Sequence, residues 1–235
     1  MILKCLSSGS KGNCYLLEAN GEVLILDAGI PILDIERGLE WNIKKVSGAV
    51  VTHQHMDHSK SVEDLRRMGI RVVAPYEFGS VKSMHFTLGG FDIQAFDVPH
   101  NGCWNNGFFI KTPLPYEQKL LYMTDLEYCP YSFKKQRVDH MLIECNYIKE
   151  MVDSDLPNYA HKVKGHCELE TTKGIVQANV TDSLSSVILC HLGRDTCDED
   201  KVIEEVKNIV PRANVDVAKG GKEWILKKEG ECPFA

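Results

Sequence analysis

Six consecutive residues, His53-Gln54-His55-Met56-Asp57-His58, carry three imidazoles and one carboxylate. Neutral imidazole nitrogens and carboxylate oxygens are ordinary ligands for zinc and for other first-row metals. A lone histidine has many other uses in proteins, but four ligand-type residues within six positions, between two structured segments, are typical of a metal site. The sequence therefore predicts that His53, His55, Asp57 and His58 bind metal.

Three further ligand-type residues, His100, Asp125 and His191, each follow an apolar segment. Any one of them alone is typical of a polar residue that caps a turn. Together with the histidine cluster, however, they complete the ligand sets of two metal ions. Two ions about 3.5–4 Å apart can share a hydroxide nucleophile and stabilise the charge that develops on a phosphodiester. We predict two sites that share one carboxylate: His53, His55 and His100 in the first, Asp57, His58 and His191 in the second, and Asp125 bridging them.

The segments around these residues are predicted to alternate between strands and helices. Strands are expected at Met1–Leu6, Asn13–Glu18, Glu22–Asp27, Gly48–Thr52, Arg71–Ala74, Phe91–Val98, Gly107–Lys111, Lys119–Thr124, Asp139–Cys145 and Ser186–Cys190. Helices are expected at Ile32–Glu40, Ser59–Met68, Tyr76–Met84, Glu168–Asn179 and Asp198–Val210. Val215–Lys219 and Glu223–Lys228, joined by Gly220-Gly221, predict a closing hairpin. The chain is thus expected to be α/β, with residues 1–235 in a single domain, since no linker or repeat divides them.

Composition limits the classes of partner and compartment. Lys and Arg number 27 against 33 Asp and Glu, so the net charge is −6 and the chain as a whole lacks a strongly basic nucleic-acid footprint. The nine cysteines are odd in number and form no C-x-x-C pair, which argues against a secreted disulfide framework and against a zinc ribbon. Neither a signal peptide nor an apolar run of membrane-spanning length is visible, so a cytoplasmic protein with no membrane partner is expected.

In order and context, these residues resemble the successive motifs of the metallo-β-lactamase superfamily. The match begins with Asp27 in Leu26-Asp-Ala-Gly29 and continues through the His53–His58 cluster to His100, Asp125 and His191. The resemblance implies the metallo-β-lactamase fold, a four-layer αββα sandwich, and a metal-dependent hydrolase. It also implies two divalent cations as cofactors, with Asp27 supporting the ligands from behind. Zinc suits this ligand set best, and manganese or iron can occupy such sites.

Finer matches are similar to the ribonuclease Z-like phosphodiesterases. Gly107-Phe108 after His100, the predicted strand that ends in Glu144, and Gly165-His166 before a helix all follow that pattern. By this resemblance, Glu144 orients His166, which passes a proton to the leaving group. Asp57 then orients the nucleophile in addition to holding a metal.

Other features resemble the small bacterial YycJ-like hydrolases more than ribonuclease Z itself. Only 25 residues separate His100 from Asp125, which leaves no room for the insertion with which ribonuclease Z grips tRNA. The opening Ser7-Ser-Gly-Ser-Lys-Gly-Asn-Cys14 and the segment Glu144-Cys-Asn146 are also closer to the YycJ-like group. That group is regarded as metal-dependent phosphodiesterases of the nuclease type.

The sequence thus predicts a dinuclear metal-dependent hydrolase, a phosphodiesterase or nuclease that cleaves DNA or RNA by attack of metal-bound hydroxide. Two alternatives stay open: a hydrolase of the same fold that acts on a small thioester, lactone or cyclic nucleotide, and a non-catalytic metal-binding module. Substrate-binding residues are not identified, and Trp104 could either stack on a base or belong to the hydrophobic shell. The native metal, the choice between exo- and endonucleolytic cleavage, and the oligomeric state, a homodimer included, are also left open.

Overall fold

The chain forms two β-sheets that pack face to face; the computed structural model describes residues 1–153, 155 and 159–227. The first sheet contains β1 (Ile2–Ser7), β2 (Cys14–Ala19), β3 (Glu22–Leu26), β4 (Val46–Val50), β5 (Val72–Val73) and β13 (Glu223–Ile225). The second sheet contains β6 (Ser83–Leu88), β7 (Phe91–His100), β8 (Cys103–Lys111), β9 (Lys119–Met123), β10 (His140–Glu144), β11 (Ser186–Cys190) and β12 (Asn214–Val217). The strand orders are β13-β1-β2-β3-β4-β5 and β12-β11-β10-β9-β8-β7-β6.

Helices cover the outer face of each sheet. The helices are α1 (Ile32–Gly38), α2 (Met56–Ser59), α3 (Val62–Arg67), α4 (Tyr159–Gly165), α5 (Leu169–Asn179) and α6 (Glu199–Ile209). Buried residues of α1 and α3 pack with the outward side chains of the first sheet, and those of α5 and α6 pack with the second sheet. The predicted four-layer αββα sandwich is therefore confirmed. Within the described residues, none of these helices has both the length and the apolar character needed to cross a bilayer.

Alternate side chains of a strand point to opposite faces of its sheet, and in this fold both faces are buried. On β2, Tyr15 and Leu17 point into the core between the sheets, whereas Cys14 and Leu16 point toward the helices. Both sets are apolar because a sheet that is covered on both faces has no solvent-facing side.

Local sequence also accounts for the helix that closes the second outer layer. The carboxylate of Asp198 accepts a hydrogen bond from the backbone N–H of Lys201 at 2.9 Å and thereby caps the start of α6. Val202 and Val206, four residues apart, form the buried stripe of α6 against the second sheet.

Strand direction brings the predicted ligands to one edge of the sandwich. In the second sheet, β7, β9, β10 and β11 all run the same way, because β8 is antiparallel to both β7 and β9 and the other pairs are parallel. Their carboxyl ends therefore lie along the same edge, as do those of the parallel pair β3 and β4 in the first sheet. Polar residues that follow these strands converge there.

One predicted helix is wrong. Residues Tyr76–Met84 do not form a helix: a single 3-10 turn covers Pro75–Phe78, and β6 then begins at Ser83. Gly79, at a φ of +86°, ends the turn. Met84, Phe86 and Leu88 alternate along β6 and pack on the core between the sheets, and this burial outweighs any local helical tendency.

The predicted closing hairpin is also wrong. The strand at Asn214–Val217 extends the second sheet beside β11, whereas the strand at Glu223–Ile225 pairs with β1 in the first sheet. The intervening turn thus carries the chain from one sheet to the other, because each strand gains more backbone partners at a free sheet edge than in an isolated hairpin. The last residue of the predicted hairpin, Lys228, lies outside the described residues.

The cysteines within the described residues are free thiols. Five of these eight are buried: Cys5, Cys14, Cys145, Cys167 and Cys190. Burial raises the pKa of the Cys5 thiol to about 12, so this side chain behaves as a small neutral hydrophobe at physiological pH. The ninth cysteine, Cys232, lies outside the described residues.

Candidate metal centre

The backbone turns sharply at three polar residues that follow the carboxyl ends of strands. Asp27, Asp125 and His191 follow β3, β9 and β11, and all three adopt positive φ values of 58°, 53° and 51°. This left-handed conformation is uncommon for residues other than glycine, and Asp and His are among the residues that adopt it most readily. Here it directs all three side chains toward a common centre instead of continuing the strands.

The segment after β3 packs directly under the histidine cluster because it contains a glycine. A Cβ atom on Gly29 would lie 1.7 Å from the carbonyl oxygen of Asp57, so no other residue fits at this position. Backbone hydrogen bonds join the two segments, from Ala28 N to His58 O at 2.8 Å and from Ser61 N to Ala28 O at 2.9 Å. The Asp27-Ala-Gly29 motif therefore holds the cluster at a fixed distance from the sheet.

The structure brings the first predicted ligand set together. The nitrogen atoms His53 Nε2 and His55 Nδ1 lie 3.0 Å apart, and His100 Nε2 lies 3.3 Å from His55 Nδ1. Asp125 Oδ2 lies 3.6 Å from His53 Nε2 and 3.9 Å from His100 Nε2. Four ligands that surround zinc tetrahedrally at its usual bond lengths are separated by about 3.3 Å. The donor atoms present, and their spacing, thus fit a first-row divalent cation.

The second predicted set gathers beside the first. His58 Nε2 lies 3.6 Å from Asp57 Oδ2 and 3.4 Å from Asp125 Oδ2. His191 completes this group, and one donor atom from each of the four residues lies within 4.8 Å of the others. Asp125 belongs to both groups, as is expected of a carboxylate that bridges two cations.

Buried hydrogen bonds set the orientation of His58. Its Nδ1 lies 2.8 Å from Oδ2 of Asp27, which directs Nε2 toward the second group. The Asp27 carboxylate also accepts hydrogen bonds from the backbone N–H of Thr52 at 2.8 Å and from the Tyr122 hydroxyl at 2.5 Å. A carboxylate that accepts a hydrogen bond from the N–H group on one side of an imidazole fixes the tautomer in which the opposite nitrogen can bind metal.

His100 is oriented in the same way by a backbone group. Its Nδ1 lies 2.5 Å from the carbonyl oxygen of Gly165, at the end of α4. Nε2 of the ring consequently faces the first group.

The protonation states of the cluster suit a cation. Burial holds the pKa of His53 well below its ordinary value and also lowers the pKa of His100. Both rings are therefore neutral at physiological pH, and each can offer a nitrogen lone pair to a metal ion. Burial opposes ionisation of Asp125, but His191 and His58 outweigh it and hold the pKa of its carboxyl well below its usual range. Burial likewise opposes protonation of His58, yet neighbouring carboxylates raise the pKa of this ring well above its ordinary value. A bound cation would displace that proton.

Glu144 and His166 are the residues that the sequence predicts to transfer a proton. Oε1 of Glu144 lies 2.7 Å from Nδ1 of His166, while Oε2 accepts hydrogen bonds from the backbone N–H groups of Leu126 at 3.0 Å and Cys167 at 3.2 Å. Glu144 is fully buried and His166 is partly exposed, with donor atoms of both close to Asp125 and His191. A buried, fixed carboxylate behind a partly exposed imidazole is suited to positioning a proton donor.

Five of the seven candidate ligands line one cleft of about 540 Å³, and His53 and His58 are buried. His55, Asp57, His100, Asp125, His191 and His166 all contribute to its lining. The wall beyond His191 is a loop that contains Arg194. Backbone hydrogen bonds from Gly193 N to Asn146 O at 2.8 Å and from Ile148 N to Thr196 O at 2.8 Å anchor this loop to the end of β10. Arg194 is exposed, and no ion pair involves it within the described residues.

Known proteins resemble this chain both in sequence and in fold. Residues 8–86, which include the histidine cluster, match the sequence profile of the metallo-beta-lactamase superfamily. The fold is similar to that of the metallo-beta-lactamase fold protein YhfI from Bacillus subtilis, with a TM-score of 0.69, 17% sequence identity, and coverage of 95% of this chain and 98% of that protein. The sequence match over this segment and the similar fold agree with the resemblance to the metallo-β-lactamase superfamily.

Two curated relatives are similar over most of the chain. Exodeoxyribonuclease YycJ of Bacillus anthracis is 26% identical over 229 residues, with coverage of 81% of each chain. Exodeoxyribonuclease WalJ of Streptococcus pneumoniae serotype 2 (strain D39 / NCTC 7466) is 23% identical over 266 residues, which covers 97% of this chain and 95% of WalJ. These matches agree with the YycJ-like resemblance.

Several residues that support the site were not identified from the sequence. Thr52 contacts Asp27, and its Oγ1 lies 3.0 Å from Nδ1 of His53. Asn13 Nδ2 lies 2.9 Å from His58 Nε2 and 3.2 Å from the carbonyl oxygen of Asp57. Asn13 stands in the opening motif on which the YycJ-like resemblance depends, so its presence there was a usable signal. Tyr122 and Arg194 had no such signal, because the apolar strand and the loop in which they stand do not indicate what they face.

Proposed function

We propose that this protein is a dinuclear metal-dependent phosphodiesterase that cleaves a nucleic acid strand. The observation that carries the proposal is the convergence of seven ligand-type side chains in two groups that share Asp125, five of which line an open cleft. The first group would be His53, His55 and His100, and the second would be Asp57, His58 and His191. When bound, two such cations supply an activated water and neutralise the charge that develops on the phosphodiester.

Zinc is the cation that this donor set favours. The set contains five imidazoles and two carboxylates and no thiolate, and zinc, manganese and iron all accept such ligands. The close spacing of His53, His55 and His100 suits tetrahedral coordination, whereas magnesium prefers octahedral coordination by oxygen.

The residues of the cleft divide the proton transfers between them. The Asp57 side chain is 25% exposed and faces the cleft, so its carboxylate can accept a hydrogen bond from the attacking water and orient it. His166 lies in the same cleft, with Glu144 holding its Nδ1. In this arrangement Nε2 of His166 is the atom that donates a proton to the departing sugar oxygen, and Glu144 stabilises the charged ring before the transfer.

Two observations favour a nucleic acid strand over a neutral ester. The relatives YycJ and WalJ are named exodeoxyribonucleases, and the wall of the cleft next to the ligands carries the guanidinium of Arg194, beside the carboxylate of Asp195. A guanidinium matches the geometry of a phosphate and would contact one adjacent to the scissile bond. The net charge of −6 is compatible with this because the site itself would gain positive charge from its cations.

The direct test compares cleavage of labelled single- and double-stranded DNA and RNA with hydrolysis of bis-p-nitrophenyl phosphate and a thioester. Each substrate is incubated with added Zn²⁺ or Mn²⁺, and His55→Ala serves as the variant that lacks a ligand of the first group. Metal-dependent cleavage of an oligonucleotide that is lost in His55→Ala supports the proposal and identifies the polymer. Hydrolysis of the thioester without any cleavage of an oligonucleotide would refute it and favour the small-molecule alternative.

A further inference from the structure

A second groove lies beside the metal cleft. Its volume is about 330 Å³, and His100 lines both cavities, so the two adjoin at this residue of the first ligand group. One side of this groove is the tip of the β7–β8 hairpin, from Pro99 to Trp104, and the other is the segment from Tyr128 to Pro130 that follows Asp125. Both sides are therefore direct continuations of segments that carry predicted metal ligands.

Two large aromatic side chains line this groove and remain exposed. Trp104 is 56% exposed and Tyr128 is 55% exposed. Aromatic side chains of this size are normally buried, because each removes a large apolar area from water. Other aromatic side chains, such as Trp41 and Tyr116, are also exposed, but Trp104 and Tyr128 share one groove beside the site, and this shared position points to a ligand.

The groove is held in place by its surroundings. The Trp104 ring lies against Gly79, with its nearest atom 3.8 Å from the position that a Cβ would take. On the other side, the hydroxyl of Tyr131 donates a hydrogen bond to the carboxylate of Asp97, which fixes the segment that follows Tyr128. Asp97 is the one carboxylate in the lining of this groove, and this hydrogen bond engages it.

A buried acceptor in the lining is also without a partner. Nδ2 of Asn105 donates to the carbonyl oxygens of Thr124, at 2.9 Å, and Asp125, which fixes the orientation of the amide. Its Oδ1 is buried and accepts no hydrogen bond from any group in the described part of the chain. An unpaired buried acceptor is costly, so a bridging water or a ligand group that reached it with an N–H or O–H donor would relieve that cost.

We propose that this groove, bounded by Trp104 and Tyr128, binds one unpaired base of a nucleic acid strand whose neighbouring phosphodiester lies over the metal ligands. This inference rests on the proposed phosphodiesterase function and specifies its substrate as a strand with an unstacked base. In a duplex both faces of a base are covered by its neighbours, whereas a single strand or a frayed end can present a free face to an aromatic ring. The groove is of a size suited to one nucleotide. Because it adjoins the metal cleft at His100, one strand can place a base in the groove and the neighbouring phosphate in the cleft.

The test is a double-mutant cycle between the protein and the substrate. A single-stranded oligonucleotide is prepared intact and with one abasic site at each position near the cleavage point, and kcat/KM is measured for the wild type and for Trp104→Ala. The wild type should lose about tenfold in kcat/KM at one particular abasic position, since a stacked base contributes on that order. Trp104→Ala should lose about tenfold on the intact strand and should show little further loss at that same position. Tyr128→Ala should show the same pattern, and Trp104→Phe should recover most of the activity.

Matched controls separate stacking from any general effect of removing a surface aromatic. Trp41 is 62% exposed and precedes β4, and Tyr116 is 67% exposed in the β8–β9 connection, so both lie at the opposite ends of their strands from the ligands. Trp41→Ala and Tyr116→Ala should cleave the intact strand as the wild type does, and thermal melting verifies that every variant is folded.

The outcomes distinguish this inference from the proposed function. If the wild type cleaves the strand and the losses from Trp104→Ala and from the abasic site simply multiply, no base stacks on Trp104 and the inference is refuted while the phosphodiesterase function stands. If Trp104→Ala slows bis-p-nitrophenyl phosphate as much as the oligonucleotide, the ring supports the metal centre and does not bind a base, which also refutes it. If the wild type cleaves no oligonucleotide under any metal condition, both proposals fall together.

Discussion

Replacing Asp27 with asparagine should disable the second metal group without removing a metal ligand. In the structure, Oδ1 of Asp27 accepts a hydrogen bond from the backbone N–H of Thr52, and Oδ2 faces Nδ1 of His58 and the Tyr122 hydroxyl. Because a backbone N–H can only donate, the oxygen of the new side-chain amide must stay with Thr52 and its NH2 group must face His58. Nδ1 of His58 then becomes an acceptor, and the proton moves to Nε2, the atom that points toward the second group.

The expected loss follows from this tautomer change. Removing the carboxylate partner of a metal-binding histidine typically weakens metal affinity about 10- to 100-fold, which corresponds to about 1.4–2.7 kcal/mol. Competition with a chelator at fixed pH measures this for each cation in turn. Asp27→Asn should bind the cation of the first group with nearly wild-type affinity. Its affinity for the cation of the second group should be about 10- to 100-fold lower.

Tyr122→Phe provides the control for that measurement. It removes one buried hydrogen bond to Asp27 but leaves the carboxylate facing His58, so its effect on metal affinity should stay below about fivefold. Two cations bound with wild-type affinity by folded Asp27→Asn would refute the assignment of Asp27 as the residue that fixes the His58 tautomer. An equal loss in both variants would show that packing around Asp27, and not its charge, supports the site.

Three other perturbations have defined outcomes. His166→Ala should slow oligonucleotide cleavage by about 10²–10⁴-fold but slow bis-p-nitrophenyl phosphate far less, because p-nitrophenolate departs without protonation; equal losses would refute the proton-donor role. Arg194→Gln should reduce kcat/KM for an oligonucleotide about three- to tenfold and lower its salt dependence, whereas Arg212→Gln, just before β12 and away from the cleft, should do neither. Asp216→Asn should lower the free energy of unfolding by about 0.5–1 kcal/mol at neutral pH, since burial opposes ionisation of Asp216 but Lys222 and Trp224 outweigh it and lower the pKa of its carboxyl. That difference should be constant above about pH 5 and vanish as the pH falls below the folded-state pKa, and denaturant titrations from pH 3 to pH 7 measure it.

The convergence of the candidate ligands could be predicted because their signals are local. The histidine cluster contains four donors within six residues, and His100, Asp125 and His191 each follow an apolar segment that forms a strand. Strand direction then brings these ends to one edge, which is a general consequence of parallel packing. The fold class followed from the same alternation together with the family resemblance.

The features that could not be predicted depend on contacts between distant segments. Whether Ser83–Leu88 forms a strand was decided by the free edge of β7 and by the core between the sheets, neither of which the local sequence contains. The final strand likewise pairs with the first one, more than 200 residues away in the chain. The aromatic groove arises where the hairpin tip near Trp104 meets the segment at Tyr128, so the sequence left the role of Trp104 open.

If two cations, held by the groups that share Asp125, drive hydrolysis of a nucleic acid strand, cleavage must depend on how many are bound. This dependence is measured as the rate of oligonucleotide cleavage by chelator-treated protein as Zn²⁺ or Mn²⁺ is added back in known amounts, with bound metal measured in parallel. We expect no cleavage before metal is added and a plateau of activity at about two bound cations per chain. Full cleavage by the metal-free protein, or no cleavage of any DNA or RNA once two cations are bound, would contradict it.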